Sequence, residues 1–274
     1  MRSKLLFPSY FRVIGVILLL PGLFCGYLTF IFSASESFYD ESAITLLSVG
    51  LLFVGFSQFS GEDETTQKIR LNAMYWAVLV DGFCVAIMWL LLAVNDVVHL
   101  PILDKTAQFS ADFYNWLFIL VIFICRLYYL LNKHRTKEVV SPTLLISFKP
   151  YNLIGKVTAP LLCLLLVVAT VFNLKNGVYD NLICLIPVSL LVLIGSKERN
   201  ETTEITDIRL NAMQEAVYIN YILFLLATWT MYGFEYLLVL LISLISIPCI
   251  FAFIFYLSYF KALKKNRKAP LGSH

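Results

Sequence analysis

Two ionisable residues stand where the chain is otherwise apolar. Asp81 lies about three helical turns beyond Leu71, in an apolar run. At 1.5 Å per residue it sits about 15 Å along a helix, near mid-bilayer. An acid at that depth costs about 3 kcal/mol on insertion scales, so it must face protein or water. Its natural partner is Arg126, in the run that ends at Lys133 and about 10 Å from that basic edge. Joined, the two make a helix-to-helix clasp or a proton or ion relay. A third arrangement sends Arg126 to the headgroups and leaves Asp81 protonated.

A second polar group lies further along the chain. Gln214, Glu215 and Tyr218 share a helical face with Asn211, and Asn220 follows. Gln214, Glu215, Tyr218 and Asn220 are candidates to line a cavity. The plainer reading places Glu215 only about 7 Å inside, where it reaches headgroups.

The most specific pattern is a repeat. Ile69-Arg70-Leu71-Asn72-Ala73-Met74 recurs as Ile208-Arg209-Leu210-Asn211-Ala212-Met213. At the same offset Glu62 meets Glu201, Ser57 meets Ser196, Pro21 meets Pro160 and Asp81 meets Asn220. With a small shift, Phe7-x-x-Tyr10 matches Phe148-x-x-Tyr151. Each hexapeptide follows an acidic stretch containing Glu62, Asp63 and Glu64, or Glu198, Glu201, Glu204 and Asp207. Carboxylates and threonines ahead of a helix satisfy its free N–H groups and complement its dipole. Arg70 and Arg209 are then expected at the cytoplasmic edge. The functional alternative is a paired acidic surface that docks a basic partner or a divalent cation. The repeated set is Glu62, Arg70, Asn72, Glu201, Arg209 and Asn211.

These residues need elements to carry them, and composition says which. The chain is 59% hydrophobic and only 14% charged, against about a quarter charged in soluble domains. Lipid must cover the excess. Apolar runs at 13–32, 43–59, 71–94, 113–131, 157–174, 178–195, 210–230 and 234–260 predict an all-α polytopic membrane protein with eight transmembrane helices. Lys and Arg crowd one set of loops, while Glu36, Asp40, Glu41, Asp96, Asp104 and Asp112 lie in the other, where Lys105 and Lys175 are the basic residues. Both termini are therefore expected in the cytoplasm. The repeat includes the first span, so residues 1–26 read as part of the fold rather than a cleaved leader.

Four spans per copy bring both copies in from the same side, as parallel repeats. The expected organisation is one four-helix repeat over 1–135, a basic cytoplasmic linker over 136–156 and a second repeat over 157–274. The linker holds Pro142 and Pro150 and an expected interfacial helix at 144–151. All six cysteines lie in apolar runs without a C-x-x-C pair and are expected as buried small hydrophobes. The three histidines fall outside the spans.

The acidic cluster followed by Ile-Arg-Leu at a helix start resembles uncharacterised bacterial integral membrane proteins built of four-span units. The resemblance covers mainly residues 57–81 and 196–220. It implies a bacterial inner-membrane location and no particular activity.

No catalytic constellation is present: no G-x-S-x-G, no histidine inside a span, no aspartates paired at metal spacing. The chain is expected to be no enzyme and to need no cofactor or metal. Transport-like handling of a small solute or ion, in a cavity between the repeats, is placed ahead of a regulatory or scaffolding role through the acidic loops. Expected partners are the bilayer, anionic headgroups at the basic tail 261–268 and a cytoplasmic protein, but no nucleic acid.

Overall fold

A computed structural model describes residues 6–32, 37–59, 61–98, 115–136, 145–171, 178–199, 201–231 and 234–268. The stretch around Lys105, Asp104 and Asp112, the linker segment with Lys137 and Pro142, Lys175, Glu36, His99 and His274 lie outside them. Helices dominate the described residues: α1 (Phe11–Phe32), α2 (Ser37–Phe56), α3 (Glu64–Val98), α4 (Asn115–Arg135), α5 (Leu153–Val171), α6 (Val178–Gly195), α7 (Thr203–Thr230) and α8 (Phe234–Lys268). Six of them, α1, α2, α3, α4, α7 and α8, contain stretches long and apolar enough to cross a membrane. These six make the chain a multi-pass membrane protein.

The helix boundaries follow local chemistry. Asp63 Oδ1 accepts from the Thr66 backbone N–H at 2.8 Å and from its hydroxyl at 2.6 Å, closing the first turn of α3. Thr202 Oγ1 accepts from Ile205 N–H at 3.3 Å and caps α7. Asp63 and Thr202 stand at the offset of the two hexapeptides, so the same cap is built from different oxygens. The α5 helix starts at Leu153, inside the segment expected as linker, after a single π turn at Phe148–Asn152. α8 continues through Lys268 and draws the basic tail into a helix.

The packing of α1 through α4 recurs in α5 through α8. Helix α1 packs on α2, α2 on α4 and α3 on α4; likewise α5 packs on α6, α6 on α8 and α7 on α8. Across the middle the contacts are reciprocal: α3 lies against α6, α7 against α2, and α3 against α7. One apolar core runs through both halves, with Ala73, Met74 and Ala77 of α3 beside Ala212, Met213 and Ala216 of α7 in it. Small residues there let the two backbones approach, as membrane helix pairs require.

Two extended segments obey the same offset. Phe7 pairs with Ser57 in an isolated parallel bridge, and Ile146 pairs with Ser196. Phe7 N–H donates to Phe56 O at 3.0 Å and Gln58 N–H to Phe7 O at 2.8 Å; Ile146 N–H donates to Gly195 O at 2.8 Å and Lys197 N–H to Ile146 O at 2.9 Å. Ile146 thus takes the place of Phe7 without any gap. The shifted match of Phe7 to Phe148 is corrected by this pairing, because backbone hydrogen bonds set the register and side-chain type does not.

Candidate functional site

Each hexapeptide arginine is the centre of a buried collar. In the first half, Arg70 Nη2 meets Glu62 Oε2 at 2.7 Å. Its Nη1 donates to Gly55 O at 2.7 Å and Ser57 O at 2.8 Å. Glu62 Oε2 also accepts from Phe59 N–H at 2.8 Å. In the second half, Arg209 Nε and Nη2 grip Glu201 Oε1 and Oε2 at 3.1 and 2.9 Å, a two-pronged contact. Arg209 Nη1 donates to Ile194 O at 3.1 Å, and Glu201 Oε2 accepts from Glu198 N–H at 2.7 Å. Both arginines are 1% exposed. Each arginine is spent inside the protein, tying the loop to the helix that follows it, and is not free for headgroups. The C-terminal turns of α2 and α6 leave carbonyls without helical partners, and the guanidinium fork satisfies them.

The collars are locked across the halves. Tyr75, from α3, donates its hydroxyl to Ile194 O at 2.5 Å, the carbonyl that Arg209 also holds. Gln214, which stands at the Tyr75 position of the second copy, hydrogen-bonds Tyr218, and Tyr218 lies near Arg70. The Tyr218 ring packs on Phe56 at 4.6 Å and on Phe7 at 6.1 Å. Each half therefore reaches into the other's arginine site.

Cations at the start of α1 and α5 close both collars from outside. Arg12 donates to Gln58 O at 2.9 Å and lies 3.9 Å from the Phe59 ring centroid, with Arg70 at 4.9 Å from that ring. At the Phe59 position the second copy has Glu198, whose Oε2 meets Lys156 Nζ at 2.6 Å. Glu198 Oε1 accepts from Tyr256 Oη at 3.0 Å and Asn152 Nδ2 at 3.3 Å. Arg12, Tyr75, Asn152, Lys156 and Tyr256 are not among the candidate site residues read from sequence, and Glu198 is read there only as part of the acidic stretch.

The polar residues expected at half depth separate into three places. Asp81 is 5% exposed on α3, and Tyr221 of α7 lies near it. Tyr221 in turn donates to Trp116 O of α4, while Asn220 Oδ1 accepts from Ser246 Oγ of α8. Arg126 does not join Asp81: its guanidinium lies 4.7 Å from the Trp76 ring and 5.4 Å from that of Tyr129. A ring face holds the cation without requiring it to point inward. Gln214 and Asn220 are buried, Tyr218 is half-buried and Glu215 is exposed. These four do not line one cavity, because helical rotation turns Glu215 outward where its counterpart Trp76 carries Arg126. Asn211 Nδ2 donates to Asp207 O at 2.8 Å, within its own helix, and Asn72 is half-buried.

The cysteines also depart from expectation. Cys84, Cys125, Cys163 and Cys249 are exposed on the protein surface and Cys25 is half-buried, all as free thiols. A membrane protein's outer surface is itself apolar, so an apolar run says nothing about which face a cysteine occupies. Among the described residues no cluster of three or more His, Cys, Asp or Glu side chains is placed to hold a metal ion.

Compared with known proteins, the chain matches no family model, no curated protein and no solved structure.

Proposed function

We propose that this is an eight-span protein of the bacterial inner membrane, made of two parallel four-helix repeats with both termini in the cytoplasm, that handles a small solute or ion at the polar seam between its halves. The observation that carries the reading is Asp81, an acid 5% exposed on the helix that packs against its counterpart α7. Tyr221 and Asn220 add polar atoms from the other half at the same level of the repeat. An ionisable side chain buried at that depth, facing protein rather than lipid, marks a functional site by default. Met74, Ala77, Met213 and Ala216 are all buried in the shared core, so handling requires α3 and α7 to part.

The collars weaken the competing role as a docking platform. Glu62, Glu201 and Glu198 are consumed by Arg70, Arg209 and Lys156. The exposed acids left for a basic partner include Asp63 and Glu204, which belong to the helix starts.

Labelling decides between them. With the native cysteines replaced, an Asp81→Cys variant is exposed to a membrane-impermeant thiol reagent from each side, alone and with Arg126→Ala. Labelling from either side supports a water-accessible seam. Silence from both sides removes the transport reading and leaves Asp81 as a packing residue.

A further inference from the structure

Helices α5 and α8 both pack on α6, and between them lies an open groove. Its volume is about 360 Å³, and its apolar walls include Pro160, Leu193, Phe253, Leu257 and Phe260, with Ala252 leaving the floor wide. Lys156 and Tyr256 also line it. Lys156 sits 2.6 Å from Glu198 and its Nζ is 5.3 Å from the Tyr256 ring centroid.

The face of α8 that walls the groove continues beyond it. Phe253, Leu257 and Phe260 follow helical spacing, and Lys261 and Lys264 fall on the same face one turn further. Both lysines are exposed. Lys156 is balanced by Glu198, so Lys261 and Lys264 carry the net positive charge above the groove. Pro160 adds one more feature: it has no N–H to return to the carbonyl of Lys156, one turn back. An acceptor is thereby freed beside the groove.

We propose that this groove binds one anionic diacyl phospholipid of the cytoplasmic leaflet. An acyl chain lies along Leu193, Phe253 and Leu257. The phosphate meets Lys261 and Lys264, and the freed Lys156 carbonyl accepts from a headgroup hydroxyl. The site commits to a lipid because a continuous apolar channel ends in paired cations, which is the charge order of an anionic lipid read from tail to head. The proposal rests on the membrane and orientation reading and on no assumption about transport.

The full chain is reconstituted in bilayer discs of phosphatidylcholine with a minor share of phosphatidylglycerol, then released in the mass spectrometer so that retained lipids are counted. The expected result is one retained phosphatidylglycerol, enriched about tenfold or more over its share in the disc, since each lysine near the headgroups favours an anionic lipid. Lys261→Gln with Lys264→Gln, both on exposed positions, should bring retention of the two lipids to parity. Ala252→Phe should remove the retained lipid by filling the floor. No enrichment by the unaltered chain, or enrichment that the double glutamine variant leaves unchanged, overturns the proposal even where Ala252→Phe fails to fold. A lipid-free dimer that the groove variants dissociate overturns it in favour of a second copy. Release of the chain from native membranes by alkaline carbonate without detergent overturns the membrane reading and this proposal together; carbonate resistance without enrichment overturns this proposal alone.

Discussion

Arg209 and Glu201 show what a single residue does in this protein. A buried charge that loses its partner keeps the desolvation cost and gains nothing, typically about 3–5 kcal/mol. Glu201→Gln is therefore expected to destabilise by an amount in that range, and Arg209→Met alone by a similar amount. The double substitution Glu201→Leu with Arg209→Met should recover much of the loss, since neither charge then remains buried. Denaturant unfolding in detergent micelles checks this, and additive losses would contradict it. Tyr75→Phe tests the lock across the halves: losing the hydroxyl at Ile194 O should cost about 1 kcal/mol, because Arg209 still satisfies that carbonyl. At Asp63, hydrogen bonds from the Thr66 hydroxyl and N–H hold the carboxyl below its ordinary pKa. The folded value is the lower one, so the cap's contribution is present above the ordinary carboxylate pKa and fades as pH falls through the depressed one. A lower protection factor at the Thr66 amide in acid, with no such pH dependence in Asp63→Ala, is the expected sign.

Among the elements, the α1–α2 pair is set by closeness. A Cβ on Gly15 would meet Gly50 O at 2.6 Å, and one on Gly50 would meet Gly15 O at 2.9 Å. Backbone meets backbone there, and neither side can yield by turning a side chain. Gly15→Leu or Gly50→Leu should push the helices apart and destabilise by about 1–3 kcal/mol or more. Cysteine cross-linking between α1 and α2 reads the separation, and undiminished cross-linking would sink the argument. Helices α5 and α6 meet differently, with a Cβ on Gly155 2.8 Å from the Leu193 backbone. The glycines of the two halves do not coincide in sequence, yet both pairs pack tightly. What recurs is the packed pair, and its small residue has moved.

For the whole molecule, the reciprocal contacts α3 with α6 and α7 with α2 mean that neither half buries its own third helix alone. Separately expressed halves are expected to be unstable apart and to recover folding when co-expressed. Tagged termini should stay shielded from an external reagent in intact cells and react once the membrane is opened; labelling in intact cells would reverse the orientation. Composition and periodicity determined that this chain is helical, that lipid must cover it, and where most helices lie, because apolar excess and span length are properties of the chain alone. The hexapeptide repeat likewise pointed to residues that matter, since matching residues at one offset require no geometry to notice. Only the tertiary structure decided their jobs. Arg70 and Arg209 turn inward because the open carbonyls at the ends of α2 and α6 lie beside them, and no spacing in sequence encodes that approach. Arg126 rests on Trp76 instead of meeting Asp81 because depth along two helices says nothing of their relative rotation. Glu215 faces outward for the same reason. A span's length is one-dimensional and legible from sequence, whereas the facing of each side chain depends on which helix arrives beside it.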